Sequence, residues 1–229
     1  GHTKNYIAAI SPNGKYFATG GADYQIKIWD KILGKEITTI YGHVGRITSL
    51  TYSSNGKYIV SAGEDKKLYV WNAYNYTLLV AYNTDGAVNV AKFSPDNKLL
   101  YVAEDSILSI LNPFSDTTAL VKKIQLHNGV INDFVFYRND ANAIYSCGGD
   151  GMVYKWNLKS DTKTSTFNKT FGVVKRIIVS DDGKFLSTIS SDSMLTIFNI
   201  FLGQKVFKER AYLEADYYSN PFPAMYAIH

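Results

Sequence analysis

The sequence predicts an all-β fold of repeated four-stranded antiparallel blades, a β-propeller. Three observations carry that reading. Short β-branched and aromatic runs are bounded by Gly, Asp and Asn throughout the chain. No segment holds an apolar stripe of helical period over three turns. One residue pattern recurs at an interval of about 40–45 residues, the length of a propeller blade.

The first hairpin places Tyr16–Thr19 and Gln25–Trp29 on either side of a Gly-Gly-Ala-Asp turn. The second places Tyr58–Ser61 and Lys67–Trp71 around Ala-Gly-Glu-Asp. Further hairpins follow at Leu99–Leu111, Ala143–Trp156 and Phe185–Phe198. The closing residues Trp29, Trp71, Leu111, Trp156 and Phe198 are separated by 42, 40, 45 and 42 residues. Six positions before each stands an aspartate: Asp23, Asp65, Asp105, Asp150 and Asp192. Four positions earlier again come Thr19, Ser61, Tyr101, Ser146 and Thr188, a hydroxyl every time. Histidines precede three of the repeats, His2, His43 and His127, and turns such as Ser-Pro-Asn-Gly at 11–14 follow.

Blade boundaries are therefore expected near 1–42, 43–84, 85–126, 127–170 and 171–210. Residues 211–229 remain, with an end resembling the inner strand of a sixth blade; the competing reading is a packed tail. The whole chain is expected to be one propeller segment.

At 229 residues and 46% hydrophobic, the chain can bury a large core. Its net charge of +4 is mild, both signs are scattered, and no run of five like charges occurs. Solvated strand faces explain the lysines better than a nucleic-acid patch. A single cysteine, Cys147, excludes an internal disulfide framework and a cysteine-based zinc site. No stretch approaches 18 apolar residues, so no membrane partner is expected.

The Gly-His at 42–43, the Trp-Asp at 29–30, the Trp-Asn at 71–72 and 156–157 and the spaced aspartates resemble the WD40-repeat family over nearly the whole chain. The resemblance implies a hydrogen-bonded chain in each blade, running from the His to the hydroxyl and Asp and on to the Trp. Full sets are His2, Thr19, Asp23, Trp29; His43, Ser61, Asp65, Trp71; and His127, Ser146, Asp150, Trp156. The third repeat has Asp85, Tyr101 and Leu111 at the matching places and the fifth has Phe171 and Phe198, so those blades should rest more on packing. Propellers of the family usually close with seven blades. Five and a fraction leave an open arc, which predicts completion by further sequence or by a neighbouring chain.

A His–Asp–Ser trio also suggests nucleophilic catalysis, but a trio repeated at the blade period does not describe one active site. The histidines fall on separate blades, a poor arrangement for a metal. The expectation is a chain that is not an enzyme, with no cofactor and no metal.

The family resemblance implies partner binding on the top face, at the opening of each inner strand and at the residue before each repeated Asp. The candidates are Lys4, Tyr6, Arg46, Glu64, Asn89, Glu104, Asn132 and Lys175. Thr48, Ala87, Val130 and Val173 share the strand openings. Ala22, Gly149 and Ser191 share the other positions. Arg46 and Glu64 also invite a simple mutual ion pair. The function expected is a protein–protein interaction scaffold in a larger complex. The alternative is nucleic-acid or phosphate binding through Lys4, Arg46 and Lys175, as in a ribosome-biogenesis propeller. The stretch from Ile144 to Gly151 resembles cilia- and flagella-associated WD-repeat proteins. A cytoplasmic location, with a cilium or the cytoskeleton in view, is therefore expected first, and a nuclear or nucleolar one as the alternative.

Overall fold

The computed structural model of the chain describes residues 7–115, 119–138, 140–167 and 172–210. Among these residues twenty strands form five four-stranded antiparallel sheets, each made of strands consecutive in sequence. Blade one contains β1 (Ile7–Ile10), β2 (Tyr16–Gly20), β3 (Ile26–Asp30) and β4 (Glu36–Ile40). Blade two contains β5 (Ile47–Tyr52), β6 (Tyr58–Gly63), β7 (Lys67–Asn72) and β8 (Leu78–Asn83). Blade three contains β9 (Val88–Phe93), β10 (Leu100–Glu104), β11 (Ile107–Leu111) and β12 (Leu120–Gln125). Blade four contains β13 (Ile131–Tyr137), β14 (Asp140–Gly148), β15 (Val153–Asn157) and β16 (Thr162–Phe167). Blade five contains β17 (Val174–Val179), β18 (Phe185–Ser190), β19 (Met194–Asn199) and β20 (Gln204–Arg210). The inner strands pack side by side in order, β1 on β5, β5 on β9, β9 on β13 and β13 on β17. Residues 211–229, expected to begin a sixth blade or to form a packed tail, lie outside the described residues.

Two side-chain devices set the turns. In the first hairpin of blade one, the Ser11 hydroxyl donates to Asn13 Oδ1 at 2.8 Å and accepts from the Tyr16 N–H at 2.9 Å. Ser53 with Asn55, Ser94 with Asp96, and Ser180 with Asp182 repeat it in blades two, three and five. The residue that follows takes a left-handed φ of 60–69° at Gly14, Gly56, Asn97 and Gly183, a conformation that Gly and Asn adopt most readily. Blade four lacks the device among the described residues, and its turn carries Arg138 at φ 54°.

The second device explains why an Asp or Asn follows each closing residue of the repeat. Asp30 Oδ1 accepts from the N–H groups of Ile32 and Leu33, at 2.9 and 2.8 Å. Asn72, Asn112, Asn157 and Asn199 hold the corresponding turns of the other blades.

The core lies between blades. Ala18, Ile26 and Ile28 of blade one meet Leu50, Ile59 and Trp71 of blade two. Val60, Leu68 and Val70 meet Phe93, Leu100 and Leu111. Ala103, Leu108 and Ile110 meet Phe134, Ile144 and Trp156. Tyr145, Cys147 and Val153 meet Ile177, Leu186 and Phe198. Each buried Leu, Ile or Phe contributes about 1.5–3 kcal/mol. Alternate residues of each strand serve opposite neighbours, which is why β6 and β10 are buried along almost their full length.

Four inner strands carry a β-bulge at the same height. The register passes over Thr48 in β5, between the pairs Ile47–Gly63 and Ser49–Ala62. It passes over Asn89 in β9, Asn132 in β13 and Lys175 in β17 in the same way. A bulge inserts one unpaired residue and re-aims its side chain.

Close packing under the bulge sets a test. A methyl group on Gly148 would lie 2.7 Å from the Val130 carbonyl oxygen and 2.9 Å from His127 Nδ1. Gly148→Ala should therefore destabilise the chain by about 1–3 kcal/mol, read as a lower urea midpoint.

Candidate site at the channel mouth

Among the described residues, four loops run from the outer strand of one blade to the inner strand of the next, and polar side chains of the next blade hold them. In blade two, His43 Nδ1 lies 2.9 Å from Asp65 Oδ2, and His43 Nε2 lies 2.9 Å from Ser61 Oγ. Trp71 Nε1 donates to the same hydroxyl at 2.8 Å. One assignment satisfies every group: indole to hydroxyl, hydroxyl to Nε2, and Nδ1–H to the carboxylate, with the imidazole neutral. Burial pulls the His43 pKa below its ordinary value of 6.5, with Asp65 opposing, so the neutral form is the one favoured. Asp65 also accepts from the backbone of Val44 and Lys67.

Blade four repeats most of this chain. His127 Nδ1 is 2.9 Å from Asp150 Oδ1, and Nε2 is 2.8 Å from Ser146 Oγ. The last link expected from the sequence is missing, because the buried Trp156 Nε1 has no partner among the described residues. Strand register is the same in both blades, Ile59 opposite Trp71 and Ile144 opposite Trp156. The break therefore comes from ring placement: the Tyr154–Trp156 centroids are 6.3 Å apart and those of Tyr69–Trp71 are 5.4 Å apart. In blade one, Trp29 Nε1 donates to Thr19 Oγ1 at 2.8 Å, and Asp23 accepts from the Gln25 N–H at 3.4 Å. His2 lies outside the described residues.

Blades three and five hold the loop differently. Glu104 Oε2 accepts from the N–H groups of Asp85 and Gly86, at 2.9 and 3.2 Å. Glu104 is only 8% exposed. The expectation that it contacts a partner is corrected: its carboxylate is consumed as a strut, one residue before the aspartate the repeat pattern singles out. In blade five the Ser191 hydroxyl accepts from the Val173 N–H at 3.2 Å. Cys147 is fully buried in the core, where burial raises its thiol pKa far above the ordinary range.

Five of the strand-opening residues, Arg46, Thr48, Asn89, Asn132 and Lys175, meet in one place, whereas Ala87, Val130 and Val173 do not line it. A cleft of about 340 Å³ at the mouth of the central channel is lined by Ile7, Arg46, Ile47, Thr48, Asn89, Asn132, Lys175 and Arg176. The four bulge residues all line it, so the bulges build this surface. Thr48 Oγ1 donates to the Val88 carbonyl of the next blade, and Asn132 Nδ2 donates to the Val174 carbonyl at 2.8 Å. Arg46 Nη2 lies 2.6 Å from Glu64 Oε1, with both side chains close to half exposed. Lys4 and Tyr6 lie outside the described residues. Sequence reasoning missed Arg176. Its only signal was the dipeptide Lys175-Arg176, whose two side chains a regular strand would send to opposite faces; the bulge at Lys175 brings both to the cleft.

Five antiparallel blades fanned about a channel define a β-propeller. The WD40 family profile (WD domain, G-beta repeat) matches residues 1–30 and 34–72. The β-propeller domain of Myceliophteria thermophila Cps50 (Swd1) superposes with a TM-score of 0.75 at 16% identity, covering 85% of this chain and 67% of that one. The fold is that of a β-propeller, and its first two repeats match the WD40 profile. Among its relatives are Protein HIR1 of Candida albicans, 23% identical over 211 residues, and a Chromatin assembly factor 1 component of Mus musculus, 25% identical over 133 residues. The first match covers 86% of this chain and the second 49%. The chain spans about a fifth of the length of these relatives, 22% and 23% respectively.

Two outcomes test the struts. Trp71→Phe leaves Ser61 without its donor, whereas Trp156→Phe removes an N–H that has no partner among the described residues, so the first should cost about 1 kcal/mol more in paired denaturation curves. His43 and His127 both have native pKa values below the ordinary 6.5. The unfolded chain then binds more protons below that pH. Stability should be intact above about pH 6.5 and fall as pH drops from there through the lower native values. His127→Gln should reduce the acid-side slope in a series of melts.

Proposed function

We propose that the chain is a non-catalytic docking platform that presents its channel-mouth cleft to a protein partner within a chromatin-assembly complex. The observation that carries this reading is the convergence of the four bulge residues on one surface. Of the residues released from the ladder, Thr48 and Asn132 brace the next blade while Asn89 and Lys175 make no such bond among the described residues, and Arg46 is the type of side chain that anchors interfaces. The repeated His–Asp–Ser groups are closed internally by struts and loop amides, which leaves them no role in turnover.

Chromatin assembly is the setting that the name of the Chromatin assembly factor 1 relative favours. Under this reading the chain works in the nucleus, the alternative location expected from the sequence. The cytoplasmic or ciliary setting finds no support among these relatives.

The nucleic-acid reading keeps one specific observation in its favour, three cationic side chains in the cleft. They are confined to one opening, whereas a polynucleotide takes its affinity from many phosphate contacts along a track.

The test is affinity capture from nuclear extract with the chain and with an Arg46→Glu/Lys175→Glu variant of equal thermal stability. Chromatin-assembly proteins should be retained by the first and lost by the second. Capture that is unchanged by the substitutions, or that returns only axonemal proteins, would overturn the reading.

A further inference from the structure

The chemistry of the cleft indicates what kind of partner it accepts. Among the described residues its lining contains three cationic side chains, Arg46, Lys175 and Arg176, and no carboxylate. Asp133, close by on β13, is 6% exposed and fully committed: it accepts from Lys92 Nζ at 2.8 Å and from the backbone of Phe134 and Ile177. It therefore returns little negative charge to the opening. Lys175 is exposed, and its side chain makes no hydrogen bond or ion pair among the described residues. Among the described residues the Arg176 guanidinium makes a single 3.5 Å hydrogen bond, to the Asn132 carbonyl.

Of the three cations, Arg46 is the one with a carboxylate partner among the described residues, and its source is the turn beside the cleft. Glu64 Oε1 lies 2.6 Å from Arg46 Nη2. The backbone sets this pairing, since the Glu64 N–H donates to the Arg46 carbonyl at 2.9 Å. Exposed pairs of this kind are weak and exchange readily with a competing anion. Glu64 thus occupies the position that an incoming carboxylate would take on the guanidinium, where a planar fork favours carboxylate geometry.

We propose that the cleft binds an acidic peptide segment of a partner protein, with ligand carboxylates on Lys175, Arg176 and Arg46, and that Glu64 is a built-in competitor for Arg46. The proposal rests on the docking reading above and assigns its ligand. The opening suits a few side chains of a peptide. Thr48 and Asn132 brace the blades on either side.

The competitor gives the test a sign that a general loss of structure does not produce. A short fluorescein-labelled glutamate-rich peptide, its glutamine counterpart and a single-stranded RNA of similar length are titrated against the chain by anisotropy. The glutamate peptide should bind and the glutamine peptide should not, with affinity falling as salt rises. Lys175→Glu should weaken binding by about tenfold or more. Glu64→Gln should tighten it by about two- to fivefold, with melting curves unchanged in both variants.

Equal binding of the glutamine peptide, or no effect of Glu64→Gln, would overturn the proposal. So would tighter binding of the RNA with the same dependence on Lys175, which would make the ligand a phosphate backbone. If no acidic peptide binds yet capture of chromatin-assembly proteins still depends on Arg46 and Lys175, the acidic ligand falls and the docking reading stands. If neither measurement depends on these residues, both fall.

Discussion

A neutral imidazole held between a carboxylate and a hydroxyl is the contact on which the blade architecture turns. A propeller must repeatedly carry its chain from the rim back to the centre, across the end of a blade it has just completed. That crossing puts backbone amides in a partly buried place with no strand to pair with. In blades two and four, His43 and His127 dock the crossing onto the hairpin of the following blade, and Asp65 and Asp150 take up the loop amides. Leaving such groups unpaired costs about 1–3 kcal/mol each. Blades three and five reach the same end with the buried Glu104 and the exposed Ser191, so the requirement is a side-chain acceptor at that point and the residue supplying it can vary.

With each inner strand anchored at its start, the next few residues can depart from regular pairing. The bulge follows within a few positions of the anchored loop in all four cases: Thr48 after Val44, Asn89 after Asp85 and Gly86, Asn132 after Asn128, Lys175 after Val173. Anchor and bulge work together, one fixing where the strand enters and the other turning a side chain toward the channel.

Strand positions and the blade period were legible in the sequence because they repeat, and repetition averages out local ambiguity. The closing Trp, Leu or Phe at positions 29, 71, 111, 156 and 198 marks the same place in every blade. The failures are all single-blade events. Trp156 has the right spacing, but spacing does not fix a ring to within the roughly 3.5 Å of a hydrogen bond. Glu104 reads as a surface residue because Asp105 fills the motif position beside it, yet the longer side chain is the one that reaches the loop. Arg176 could not be assigned from strand alternation, since the bulge that redirects it breaks alternation. Strand openings were singled out as a group, whereas the convergence of five of them into a single cleft depends on three-dimensional closeness that a linear period does not encode.

The bulges also divide the labour between keeping shape and choosing ligands. Of the four side chains they release, Thr48 and Asn132 reach back to a carbonyl on the following blade, while Asn89 and Lys175 make no such bond among the described residues. Alternate slots around the channel are thus spoken for and vacant. Substitution at a vacant slot changes the chemistry of the opening without touching a ladder, a loop anchor or an inter-blade bond. A propeller built in this way can acquire a new recognition preference through one or two residues while its fold remains under unchanged selection.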